Sequence, residues 1–503
     1  MDVSTPLQLT VSFEWNRMMP QRTRHPGHDH TRLGATAAVT NVAAGSAEPF
    51  TRPSIGRRRH PLRGRDPVPK DGYVTPRSSK SGGSLGKSQS GEGVAHARHG
   101  ARCNGQSHTM TRAAVPRRRP EDPQRATFLE LFFDLAFVFA LFQLSHHLLG
   151  QLHLTGALQT LVLLAAMWGV WNTTTWVTDR LDPQSPAVQL LVVITLFGTL
   201  FLAAVLPRAF GDYGLIFAGT YVAIEVGRLV YITLAVRGTD LERLARPALW
   251  WACAIALVWI AGALAHGVVR GALWALAIVV GYTAYSVGFP TPWGGRVSEL
   301  EPPVAAEHYA ERYRQVFIIA LGEPILVAGL AFSAGGVAPA RTVAFVVSVA
   351  TTAWLWRIYI YRAGELLSAA FAAVPVARLG RWAGYIHLVM VAGIVVTAVG
   401  NELVIAHPAG RTTLAAALVI LGGPALFLTG RAGFEYLVFA RVSWDRPVGV
   451  LVLAVLTPVM LLASMLVAAT VAALVLFLVA HTDAARARHR PAELPSPPEA
   501  ASQ

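Results

Sequence analysis

The feature that most constrains this chain is a succession of apolar segments, each long enough to cross a bilayer. An α-helix rises 1.5 Å per residue, so a hydrocarbon core about 30 Å thick calls for roughly 17–25 apolar residues. Ten such segments can be read, at about 128–149, 155–177, 187–206, 214–236, 248–267, 270–289, 314–333, 341–361, 382–403 and 412–430. The stretch from Pro447 to Ala480 is too long for one span and short for two, and Pro458 is a natural break. The fold class expected is all-α, a polytopic transmembrane helix bundle of about 12 spans, with 11 as the alternative. With 53% hydrophobic and 14% charged residues, the composition excludes an ordinary soluble domain.

The charge is unevenly spread. Residues 1–109 hold 16 Lys or Arg against 7 Asp or Glu, which is nine of the net +14. That tail is rich in Pro, Gly, Ser, Arg and His and lacks hydrophobic periodicity, so burial cannot offset its ordering entropy. The basic run at Arg57 is read as part of a disordered tail and not as a nucleic-acid site. All three lysines, Lys70, Lys80 and Lys87, fall in the tail. This break in composition marks Met110 as the expected true start, with residues 110–126 as a cytoplasmic leader, 127–481 as the membrane domain and 482–503 as a disordered cytoplasmic C-terminus.

Arginine sets the expected orientation, because cytoplasmic loops of membrane proteins carry the basic excess. Arg112, Arg117, Arg118, Arg119 and Arg125 precede the first span. Alternate loops after it carry Arg180, then Arg237, Arg243 and Arg246, then Arg296, Arg312 and Arg314, and so on to Arg446, whereas the opposite set holds only Arg208, Arg270, Arg341 and Arg411. Arg486, Arg488 and Arg490 follow the last span and belong inside only if the number of spans is even. Twelve spans with both termini cytoplasmic, in the plasma membrane, satisfy all of these counts.

Several ionisable residues nevertheless lie within the apolar segments. Counted from the cytoplasmic ends, Asp134, Arg228, Glu323 and His387 fall about 8–13 Å deep on four helices and are expected in one layer. Glu130 lies one turn before Asp134 on the same face, Glu225 can pair with Arg228, and Arg357 is within reach of the cytoplasmic side. In EHYAERYRQVFIIALGEPIL, residues His308, Arg312, Gln315 and Glu323 form one polar stripe, and Pro324 is expected to kink the helix beside Glu323. A charge at such depth costs at least about 2.5–3.5 kcal/mol, so these groups must face one another or water. Two uses follow: a static polar lock, or a titrating proton or substrate site.

Catalytic and metal signatures are sparse. The membrane segments contain no GxSxG, HExxH or P-loop spacing. His146, His147 and His153 lack an accompanying carboxylate, Cys103 and Cys253 stand apart, and no metal or cofactor is expected.

The ordered motifs LELFFDLAFVFALFQLS, WNTTTWVTDRLDP, VGRLVY, HYAERYRQVFIIALGEPI and YIHLVMVAGIVVTAVGNEL resemble the bacterial low temperature requirement A family over about residues 120–480. The resemblance implies a polytopic membrane protein of a family named for a growth phenotype in the cold. It maps the family's polar positions to Glu130, Asp134, Asp182, Arg228, His308, Glu311, Arg312, Glu323 and His387, with Glu225 in place of an expected glutamine and Pro324 in place of a usual serine. Glu402 joins Asp182, Glu225 and Arg357 as a secondary candidate. The expected function is a secondary transporter or permease, not an enzyme, with a buried and proton-coupled polar site. The rival is a non-transporting stress or structural protein, or an enzyme acting on a lipid-borne substrate. Expected partners are the lipid bilayer and a small molecule or ion, with no nucleic acid; nothing in the sequence sets the oligomeric state.

Overall fold

The computed structural model describes residues 125–292, 306–373, 376–489 and 494–498. The tail at 1–109 and most of the leader lie outside them. The first half of the bundle is α1 (Phe128–Gly150), α2 (Leu154–Arg180), α3 (Pro186–Val205), α4 (Gly214–Ala235), α5 (Glu242–Leu264) and α6 (Gly267–Ser286). The second half is α7 (Ala306–Ala334), α8 (Pro339–Tyr359), the short α9 (Glu365–Ala373), α10 (Val376–Ala406), α11 (Leu414–Ile420), α12 (Gly422–Phe439), α13 (Asp445–Met460) and α14 (Met465–His489). The described residues form a polytopic transmembrane helix bundle.

Eleven stretches among the described residues are long and apolar enough to cross a membrane, α11 and α12 counting as one. At 16 residues, α13 is shorter, yet its ends reach opposite faces of the bundle. Near its start Arg446 binds both carboxylate oxygens of Asp483, at 2.9 and 2.8 Å. Past its end the backbone pairs with the loop between α10 and α11, through Thr412 N to Ala463 O at 3.2 Å and Met465 N to Gly410 O at 2.9 Å. So α13 runs antiparallel to α14 between the same two ends of the bundle, although it is not among the eleven stretches of the described residues long and apolar enough to cross a membrane. The expected break occurs at Met460, two residues beyond Pro458.

Local chemistry fixes the ends of several passes. Pro186 and Pro339 open α3 and α8 in the first turn, where the missing N–H costs nothing. Arg431 donates to the carbonyls of Ile358 and Tyr361, both at 2.9 Å, and so satisfies groups left open at the end of α8. Centrally, α10 packs on α7, α12, α8, α1 and α14. Its approach to α12 depends on glycine: a Cβ at Gly393 would lie 2.5 Å from Phe427 N, and one at Gly423 2.6 Å from Thr397 N. Lipid gives no hydrophobic reason for helices to associate, so such close packing supplies the attraction. Leu257, Val268, Val279 and Leu451 project outward with many other large apolar side chains, forming the surface that the bilayer covers.

Two sequence-based expectations are corrected. Helix α7 begins at Ala306, eight residues before the apolar segment at 314, because its polar first turns are buried by α1 and α2. Residues 482–489, expected in a disordered C-terminus, continue α14, and Asp483 is buried against Arg446.

Candidate functional site

The two carboxylates of α1 have separate local reasons to be there. Thr127 and Glu130 form a capping box: Thr127 N donates to Glu130 Oε2 at 2.7 Å, and Glu130 N donates to Thr127 Oγ1 at 3.4 Å. That leaves Glu130 Oε1 for His308 Nε2 at 3.0 Å. The other ring nitrogen, Nδ1, lies 3.1 Å from Asp179 Oδ1 at the end of α2. One turn further on, Asp134 receives Arg312 Nη1 and Nη2 at 2.8 and 2.9 Å and the indole N–H of Trp171 at 3.0 Å. Such fork-to-fork contact is the strong form of the ion pair.

These residues are sealed from solvent and lipid; Asp134, His308 and Arg312 have 0% exposure. Arg312 Nε also approaches Glu130 to 3.9 Å, and Arg180 lies 3.5 Å from Asp179. Three acids, Glu130, Asp134 and Asp179, thus meet Arg312, Arg180 and the His308 ring. The network ties the start of α1, the end of α2 and the start of α7 together.

A single register describes how α1 and α7 meet. Glu130 faces His308 and Asp134 faces Arg312, each pair 178 residues apart, on helices running in the same direction. Continued along both helices, the same offset sets Ser145 opposite Glu323. Glu323 is 0% exposed, and neither carboxylate oxygen has a hydrogen-bond partner among the described residues, the Ser145 hydroxyl donating to Phe142 O. It lies 11 residues past Arg312, about 16 Å further into the bundle. The expected single layer of Asp134, Arg228, Glu323 and His387 is therefore corrected for Glu323, because α7 starts at Ala306 and not at 314, which sets Glu323 about two turns deeper than its apolar segment implies. Pro324 sits inside an unbroken α7, and its ring removes the N–H that the Ala320 carbonyl would otherwise receive.

The remaining candidates disperse. Arg228 is held by Thr174 Oγ1 at 2.7 Å and by Val170 O at 3.3 Å on α2, and it pairs with Glu225. His387 stacks on Tyr313 with ring centres 4.5 Å apart, donates from Nδ1 to Ala383 O at 2.7 Å and meets the Tyr359 hydroxyl at 3.1 Å. Glu311 contacts Gln315 at 3.3 Å on its own helix, and Arg357 lies over the Tyr361 ring. Asp182 closes a turn after α2 by accepting from Gln184 N at 2.8 Å. Glu402 is half-buried near the end of α10, with Oε2 unpartnered among the described residues. Of the histidines, His153 caps α2 by accepting from Gly156 N, while His146 packs on Phe142.

The family model for bacterial low temperature requirement A protein (LtrA) matches residues 125–481. The chain belongs to this family. It is also 36% identical over 326 residues to an uncharacterized protein of Rhizobium meliloti (strain 1021), covering 62% of this chain and 78% of that protein. No solved structure matches it. The LtrA match ends at 481, two residues before Asp483, the buried partner of Arg446.

Within this LtrA bundle, sequence reasoning missed Asp179, Trp171 and a cavity. TDRLD offers two acids, and the resemblance selected Asp182, whereas Asp179 lies one helical turn beyond Thr175 on the buried side of α2. The capping spacing Thr127-x-x-Glu130 was a readable signal for the role of Glu130. The cavity, about 180 Å³, opens between α2, α4, α5, α6 and α10. No local motif marks it, because its walls come from five separate helices.

Proposed function

We propose that this family member is a secondary transporter or permease of the cell membrane that couples movement of a small molecule or ion to a proton carried by Glu323. The observation that carries the reading is the state of that carboxyl: among the described residues both oxygens are buried without a hydrogen-bond partner, inside a helix long and apolar enough to cross a membrane. A lone charge there costs at least about 2.5–3.5 kcal/mol, and taking up a proton relieves it. Ionisable groups kept under such strain in transporters mark ion and proton pathways. Both termini are assigned to the cytoplasm by the arginine distribution, and reporter fusions after Met110 and after His489 test this, an outside signal at either one overturning it.

Protein in liposomes loaded with a pH-sensitive dye provides the test of coupling. A cargo gradient that drives proton entry through the wild type should fail to do so through Glu323→Gln, with protein yield and thermal midpoint retained. Undiminished proton entry through that variant would remove Glu323 from the mechanism.

A second reading has one specific observation in its favour. The network at Glu130, Asp134, Asp179, His308 and Arg312 is fully buried and internally paired, as a static lock would be. A non-transporting stress or structural protein, or an enzyme on a lipid-borne substrate, needs no more than that lock. Proteoliposomes that move no proton with any cargo tried, together with a Glu323→Gln protein that retains the family's cold-growth phenotype, would favour it.

A further inference from the structure

The cavity between α2, α4, α5, α6 and α10 has a chemistry of its own. We propose that it binds a lipophilic organic cation, an amine or quaternary ammonium on a compact apolar body, with Glu225 receiving the positive charge.

Glu225 is presented to the space and not consumed by its partner. Arg228 is buried behind it, with Nη1 committed to Thr174 and Val170 of α2, and it reaches Glu225 through Nη2 and Oε1 alone. The second oxygen, Oε2, makes no hydrogen bond among the described residues, and Glu225 lines the cavity. A carboxylate has about four acceptor positions, so a ligand donor can join Arg228 without displacing it. Asn172 lines the same space with its side-chain amide uncommitted among the described residues, adding an acceptor.

Aromatic rings supply the rest. Trp168, Tyr221, Trp251, Trp259, Tyr282 and Tyr285 all line the cavity. Their polar tips are partly spent in the walls: Tyr282 donates to Ala165 O at 2.8 Å and Trp251 to Pro290 O at 2.9 Å. What these two offer a ligand is ring carbon. Tyr221 lies one turn from Glu225 on α4 and packs on Trp259 with centres 4.6 Å apart. Ring faces attract cations through their quadrupole, most strongly where water is excluded, and a carboxylate at the edge of such a cage completes the recognition of an ammonium. Arg381 also lines the cavity, near the start of α10, and would serve an anionic head group. The cation is favoured because the acceptors and the ring surfaces coincide around Glu225.

As the cargo site of a permease this assignment rests on the transport reading; as a binding site it does not, and the experiment measures binding alone. Full-length protein in nanodiscs is titrated with phenyltrimethylammonium, with its neutral isostere tert-butylbenzene and with benzenesulfonate, following tryptophan fluorescence and thermal midpoint. The cation should bind saturably and raise the midpoint, and the other two should bind about tenfold more weakly or less. Glu225→Gln should remove that preference. Tyr285→Ala, which leaves the Glu225 and Arg228 pair intact, should weaken the cation by about fivefold or more and serves if the first variant fails to fold. Equal binding of all three probes, preference for benzenesulfonate, or no saturable binding of the cation would each overturn the proposal.

Discussion

Arg312 and Glu323 stand on the same helix, about 16 Å apart, and differ in almost everything that surrounds them. Arg312 has both terminal nitrogens on Asp134, an indole beside it and Glu130 within reach. Glu323 has a buried carboxyl to which no group among the described residues makes a hydrogen bond of ordinary geometry, the neighbouring Ser145 hydroxyl donating to Phe142 O instead. Both lie on the polar stripe of α7 and both are sealed from lipid. The contrast separates two kinds of buried charge in a membrane bundle: where the opposite charge is built in, it ties helices together, and where none is bonded to it among the described residues, as at Glu323, a proton answers it in the transport reading proposed above.

The largest expected effect strikes the welded end. Arg312→Leu strands Asp134 in the interior and should cost about 3–5 kcal/mol, because a buried charge without its partner is worse than no pair. Protein yield and the thermal midpoint in detergent should both fall sharply. If the midpoint barely moves, Asp134 is solvated by something other than Arg312 and the contrast with Glu323 collapses. The double variant Asp134→Leu with Arg312→Leu should recover most of that loss, since neither charge is then stranded. A double variant as unstable as the single one would show that Arg312 acts through other contacts.

A smaller effect is expected at the edge of the network. Asp179→Asn keeps the shape and an acceptor facing His308 but removes a charge next to that ring and Arg180, at a cost of about 1–2 kcal/mol. A loss equal to that of Arg312→Leu would instead make Asp179 a central partner.

The helical membrane fold was legible because bilayer thickness turns hydropathy into length: the ten apolar runs read from the sequence all fall on spans among the eleven that the described residues contain, whereas the twelfth expected from charge parity is not among them. The locked site was half legible. The i, i+4 spacing of Glu130 and Asp134 required a shared inward face, and the stripe on α7 supplied Arg312 as a reachable partner. The depth of Glu323 was not legible, because apolar length understates helix length in α7. A helix whose polar turns are buried by neighbours extends beyond its apolar segment, as α7 does from Ala306. The aromatic cavity was not legible, because five helices must meet before Trp168, Tyr221 and Trp251 share a space.

The smallest expected change is at Glu323. Glu323→Gln replaces a carboxyl that makes no hydrogen bond among the described residues with an amide of the same shape, so no partner among them is stranded. The buried amide is itself poorly satisfied, which costs something, while the expensive charge is removed, which offsets it; the net change should lie within about 1 kcal/mol of zero. The thermal midpoint is therefore expected to stay near that of the wild type, in contrast to the collapse in Arg312→Leu on the same helix. That outcome makes the variant interpretable, since any proton flux it loses is then lost by a folded protein. A drop as large as that of Arg312→Leu would mean that the Glu323 charge is answered by a group in the bundle, and Glu323 would join the lock.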